Sequence, residues 1–214
     1  GLKMILFYPV FSVLITGSIM WLVINPIATQ LNVWMNNGLG SMQGTSAVLL
    51  GALLGGMMAL DMGGPINKVA YVFGTGTLAT TMTTGGSFSM AAVMAGGMVP
   101  PIAIAMASQI FKNKFTAQER EAGLTNYIMG LSFITEGAIP YAAADPTRVI
   151  PASVIGSAIA GALVGLFQIK IPAPHGGILV MALSNNFFLY LLAILVGSLV
   201  SAVILGILRK KVTE

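Results

Sequence analysis

Charge is what this chain has least of. Asp, Glu, Lys and Arg make up 7% of its 214 residues, against about a quarter in soluble domains, so an ordinary water-facing surface is excluded. Cysteine is absent, which rules out disulfides, thiol catalysis and a cysteine metal site. The 14 methionines are not clustered as a soft-ligand site requires, and no metal or cofactor is expected. The net charge of +4 comes from few basic residues at segment ends, a pattern that suits membrane topology rather than nucleic acid.

What remains is apolar, at 56% of residues. Residues 4–60 and 69–111 carry no charge, and residues 171–208 contain only His175. A spanning helix needs about 20 predominantly apolar residues, so these stretches hold several. Glycine and proline are too abundant for plain straight helices, at 26 and 10 residues. In lipid, broken backbone survives where protein buries it or a watery cavity receives it. The expected fold is therefore all-α: one polytopic membrane domain over residues 1–214, with broken and re-entrant helices. No cleavable signal peptide is evident, and the start without an initiator Met reads as a fragment.

Along the chain, residues 4–25 read as a first span and residues 31–42, with Trp34, Asn36 and Asn37, as an interfacial segment. Residues 45–60 are small and apolar, ending in a turn at Gly63-Gly-Pro65. Residues 69–84 form a helix studded with Thr75, Thr77, Thr80, Thr81, Thr83 and Thr84, which either line a path or bond between helices. Residues 90–111 make a span bent at Pro100-Pro101. Thr116-Ala-Gln-Glu119 matches a capping box and starts a helix running toward Glu136. Two further spans are expected, a short one at 154–169 and a clean one at 189–208. Four Gly-Gly pairs recur without a fixed period, so no repeat is claimed.

Lys112, Lys114 and Arg120 lie in one loop, and Arg209, Lys210 and Lys211 near the C-terminus. The positive-inside rule places both in the cytoplasm. An even number of spans must then separate them, which requires the Glu136 segment to enter and leave from one side.

Glu136 is the only acid in residues 131–140. Such a group at membrane depth costs at least ~2.5–3.5 kcal/mol and marks a functional site by default; the plainer reading is a protonated carboxyl holding a re-entrant tip. Three broken segments hold most of the other polar groups: residues 61–68, 135–145 and 174–177. They are expected to meet around one polar cavity, because unpaired backbone and polar side chains both avoid lipid. Glu136, His175, Asn67 and exposed backbone would offer a sugar the mixed donors and acceptors its hydroxyls need. A carboxylate there can also accept a hydroxyl proton during attack on phosphorus. Asp61 and Lys68 are either an ion pair or ligand contacts, Asp145 and Arg148 a local pair, and His175 either a ligand or a loop cap.

These segments also carry a resemblance. Asp61-Met-Gly-Gly-Pro-Ile-Asn-Lys68, Ile134-Thr-Glu-Gly-Ala-Ile-Pro-Tyr-Ala-Ala-Ala-Asp-Pro146 and Pro172-Ala-Pro-His-Gly-Gly177 closely resemble the fructose-family enzyme IIC component of the bacterial sugar phosphotransferase system. Gly97-Met-Val-Pro-Pro101 and the loop from Lys112 to Gly123 look like that family too. The resemblance implies a multi-pass carrier in the bacterial inner membrane, among lipid, homodimeric in full-length form. It takes up fructose or a related hexose while a phosphocysteine on a partner IIB domain phosphorylates the sugar. It makes Glu136 the catalytic candidate. Glu136, His175, Asn67, Asp61, Gly63, Gly64, Gly137 and Gly176 are the substrate-binding candidates. Family members carry further helices before the region matching Gly1 and usually a IIB domain, so this chain looks like the C-terminal, substrate-handling part. The alternatives are an ion-coupled transporter using Glu136 and Asp61 as proton-binding groups, and a membrane subunit that serves assembly alone.

Overall fold

The computed structural model describes residues 7–26 and 46–212, together with Met4 and the pairs 29–30, 33–34 and 37–38. It divides into two compact units, Gly1–Ser41 and Met42–Glu214. The expected interfacial segment, residues 31–42 with Asn36, lies largely outside the described residues.

In the first unit, α1 (Tyr8–Ile19) runs on through wider π-type turns at Met20–Ile24. Pro9 sits in the first turn, where its missing N–H leaves no bond unmade. The helix is apolar on every side, with Leu14, Trp21 and Leu22 all exposed. That composition belongs in lipid rather than in water.

The second unit is a helical bundle built around one buried helix. Its elements are α2 (Ala47–Leu60), α3 (Pro65–Thr81), α4 (Phe88–Ile110), α5 (Ala117–Leu131), α6 (Ile139–Ala144), α7 (Pro146–Leu166), α8 (Ile178–Met181) and α9 (Phe187–Leu208). Among the described residues α4, α7 and α9 are long and apolar enough to cross a membrane. Helix α4 is the hub, touching α2, α3, α5, α7 and α9. Lipid offers no hydrophobic drive for helix association, so close backbone contact has to supply the attraction. Gly55 of α2 and Gly161 of α7 provide it: a Cβ on Gly161 would stand 3.2 Å from the Gly55 Cα.

Prolines start helices here more often than they end them. Pro146 is the first residue of α7, which makes that span 21 residues long rather than the short one expected at 154–169. Proline's fixed φ suits a first turn, and the N–H it lacks is one that no helix bonds there. Pro65 opens α3 in the same way.

Inside α4, Pro100 and Pro101 do not stop the helix. Each lacks the N–H that would reach four residues back, so the carbonyls of Gly96 and Gly97 are left free for other donors. The Ser157 hydroxyl of α7 donates to the Gly96 carbonyl at 2.8 Å. Thr75, Thr80 and Thr81 donate to carbonyls of their own helix. Thr77 also reaches across, its hydroxyl 2.5 Å from that of Ser87 at the start of α4, which is a bond between helices as the sequence allowed.

The basic loop and the end of α9 lie together. Thr116 and Glu119 form the expected capping box, with bonds of 3.1 and 2.8 Å. Glu119 also pairs with Arg209, whose guanidinium lies 4.2 Å from the centre of the Phe115 ring. The Val212 N–H donates to the Asn113 carbonyl at 3.0 Å. This proximity fits the shared side of the membrane expected from the basic residues.

Candidate functional site

The site begins where α2 ends. Met62, at φ 47°, and Gly63, at φ 121°, reverse the chain. Asp61 then folds over the first turn of α3 and accepts from the N–H groups of Ile66 and Asn67 at 2.7 and 2.9 Å. A carboxylate is at home there, against the positive end of the helix dipole. With both oxygens so engaged Asp61 caps the helix, and the local pair with Lys68 weighed from sequence does not form. Lys68 instead points to Glu136, its Nζ 3.8 Å from Oε1. The Asn67 side-chain amide donates to the Met58 carbonyl at 2.8 Å, which leaves its oxygen as an acceptor.

Glu136 sits in a 3₁₀ turn, Thr135–Ala138, between α5 and α6. Phe133, in the left-handed region at φ 63°, turns the chain into it. The turn is held from the side. The Thr135 hydroxyl, buried, donates at 2.9 Å to the Gly97 carbonyl, the one Pro101 leaves free. Gly97 must stay small for this, since a Cβ would lie 2.9 Å from the Thr135 Oγ1. Thr135→Val is expected to strand the buried carbonyl and to destabilise the fold by about 1–3 kcal/mol, whereas Thr135→Ser keeps the bond. Thermal unfolding of both variants in detergent checks this, and equal midpoints would refute it.

The third segment carries His175. It is anchored at Ile171, which exchanges backbone bonds of 3.0 and 3.2 Å with Ser87. Its imidazole lies 4.9 Å from the Phe133 ring, centroid to centroid.

These parts enclose a cavity of about 220 Å3 walled by Met58, Asn67, Lys68, Tyr71, Phe133, Thr135, Glu136 and His175. Each of the three broken segments contributes to it. Of the residues singled out from sequence, Asn67, Glu136 and His175 line the cavity, and Gly63 abuts Glu136 from behind. Asp61 borders a different, apolar hollow with Leu60 and Ile139. Gly64 makes room for the Asp61 cap, Gly137 seats the turn against Asn126 and Met129, and Gly176 packs on Val180. Lys68, weighed from sequence as a ligand contact, and Thr135, inside the second broken segment, line the cavity too, whereas sequence reasoning missed Met58, Tyr71 and Phe133. For Tyr71 a signal existed: Asn67, Lys68 and Tyr71 share one face of α3 through i, i+3 and i, i+4 spacing.

Glu136 borders a second, larger cavity of about 550 Å3 along α5, from Gln118 through Ala122, Thr125 and Met129 to Pro140 and Tyr141. Its walls are mainly apolar. The smaller cavity suits a polyol better, because a carboxylate, a carboxamide, an imidazole and a phenol line it, from Glu136, Asn67, His175 and Tyr71. The Glu136 side chain is 48% exposed, so a ligand can reach it without rearrangement of the turn.

The chain is 53% identical over 216 residues to the "PTS system fructose-specific EIIABC component" of Bacillus subtilis, covering all of this chain and 33% of that protein. It is 52% identical over 216 residues to the "Fructose permease IIC component" of Bacillus amyloliquefaciens, again across its full length and 69% of that relative. The chain belongs to the fructose permease IIC family of the phosphotransferase system. A further member, the "PTS system fructose-specific EIIC component" of Haloferax volcanii, is 48% identical over 94% of the chain and 52% of that protein. The chain thus spans about a third of the first relative and about half of the last. No protein-family model matches it, and no solved structure does.

Proposed function

We propose that this chain is the sugar-handling part of a group-translocating permease in the bacterial cytoplasmic membrane. It binds fructose or a related hexose in the 220 Å3 cavity and presents it to a phosphorylated IIB domain. The observation that carries this reading is the meeting of Asn67, Glu136 and His175, from three segments far apart in sequence, in one polar cavity of a IIC family member. Several relatives are named as EIIBC fusions, so a IIB partner linked in the same polypeptide fits the family.

The chemistry follows from the cavity. The hexose hydroxyl oxygen forms a bond to phosphorus while the sulfur–phosphorus bond of the IIB phosphocysteine breaks, and the thiolate leaves with the bonding pair. The hydroxyl proton passes to the Glu136 carboxylate, which is the general base. Asn67, Tyr71 and His175 orient the sugar.

The test is uptake by vesicles bearing the full-length carrier with its IIB domain. Hexose should accumulate as the phosphate ester, depend on a phosphorylated donor and survive collapse of the proton gradient. Uptake of unmodified sugar that stops when the gradient collapses would overturn the reading.

The basic loop and the end of α9 face the cytoplasm in this scheme, where a soluble IIB domain can reach them. A cysteine at Asn113 should react in intact cells with membrane-permeant maleimides and resist impermeant ones. Labelling from outside would invert the topology.

A further inference from the structure

Lys68 is the one ammonium on the cavity wall, and its position has no adequate structural purpose. Its Nζ stands 3.8 Å from the Glu136 Oε1, at the outer edge of an ion pair, with the two side chains 58% and 48% exposed. A loose and exposed pair of this kind contributes little to folding. Yet its backbone is fixed with care. Asp61 caps the first turn of α3, and the Lys68 N–H donates to the Gly64 carbonyl at 3.0 Å. The stem is therefore aimed at the cavity by a rigid helix start, while its head stays free to change partner.

We propose that Lys68 is a catalytic residue of phosphoryl transfer, binding the equatorial oxygens of the phosphoryl group as it passes from the IIB phosphocysteine to the hexose. This deepens the proposed function and rests on it. The need is electrostatic. A general-base carboxylate repels an incoming phosphoryl dianion, so a cavity built around Glu136 alone would reject the donor it has to admit. An ammonium within 4 Å of the carboxylate removes that conflict and supplies positive charge where negative charge is spread over the transferring oxygens. The balance of the step is unchanged. Oxygen gains the bond to phosphorus, the thiolate takes the sulfur–phosphorus pair, Glu136 takes the proton, and Lys68 stays protonated throughout. His175 is less suited to this task, because its ring lies against Phe133.

The experiment uses the full-length carrier with its phosphorylated IIB domain, comparing wild type, Lys68→Gln and Lys68→Arg. For each, equilibrium binding of radiolabelled fructose is measured alongside the kcat and KM of phosphorylation. Lys68→Gln should slow kcat by roughly 10²–10³-fold, the usual loss for one electrostatic stabiliser. Its fructose KM and binding should stay within about twofold of wild type, since the contact is made with the phosphoryl group and not with the sugar. Retained binding also shows that the variant is folded. Lys68→Arg should recover most of the rate, because it restores the charge. Wild-type turnover in Lys68→Gln, loss of fructose binding in step with turnover, or equal loss in Lys68→Gln and Lys68→Arg would each overturn the assignment. If the wild-type protein itself phosphorylates no hexose, the parent reading falls before any variant is compared.

Discussion

Replacing Glu136 by Gln is expected to reduce sugar phosphorylation by about 10²–10⁴-fold, the range that one positioned general base contributes. The substitution keeps the length of the side chain and its capacity to accept a hydrogen bond, but it removes the ability to take a proton. Fructose binding should therefore persist in the full-length protein while turnover is lost. Membrane insertion should not change, because the 3₁₀ turn is held by Thr135 on the Gly97 carbonyl rather than by the carboxylate. Binding isotherms and single-turnover phosphorylation separate the two effects. Wild-type turnover in Glu136→Gln would eliminate the general-base role. Loss of binding with turnover would make Glu136 a recognition group instead.

The parts of this architecture that sequence discloses are those set by neighbours along the chain. The Thr116–Glu119 capping box is complete within four residues, and it forms as expected. The apolar runs of α4 and α9 announce themselves by length, and Asp145 and Arg148 pair across one turn at 3.0 Å. The illegible parts depend on partners brought from a distance. Pro100 and Pro101 read as a bend, but their effect is to release two carbonyls whose partners, Ser157 and Thr135, lie 61 and 38 residues away. Asp61 and Lys68 carry opposite charges seven residues apart and invite pairing. The helix N-terminus claims the acid first, which leaves the lysine for a carboxylate from another segment. The cavity was inferable as a meeting of broken segments because lipid penalises each of them alone. Its wall was only partly inferable, because Tyr71 and Phe133 come from separate segments and meet only in the fold, their rings 6.3 Å apart.

Gly63→Ala should be nearly as damaging as loss of the carboxylate, although it changes only a hydrogen to a methyl group. Gly63 adopts φ 121°, far from the left-handed well near +57° that other residues enter at modest cost, so alanine adds strain of order 1–3 kcal/mol. The new Cβ would also stand 2.8 Å from the Glu136 Oε1, closer than real contacts come, and 3.2 Å from its Cγ, a tight contact that makes the side chain give way. Either the turn after α2 retreats or the Glu136 side chain swings away, and both break the reach from Lys68 to the carboxylate. Because a misplacement of about 1 Å can cost on the order of 10²-fold in rate, phosphorylation should fall by that order. Gly76→Ala is the control, since a Cβ there meets nothing within 4 Å and the site is inside α3; it should be neutral or stabilise by up to about 1 kcal/mol. The decisive measurement is the double variant. If Gly63 acts by placing Glu136, then adding Gly63→Ala to Glu136→Gln lowers phosphorylation little further, whereas two independent losses would multiply. Multiplying losses would assign Gly63 to the backbone alone and detach it from the chemistry of the cavity.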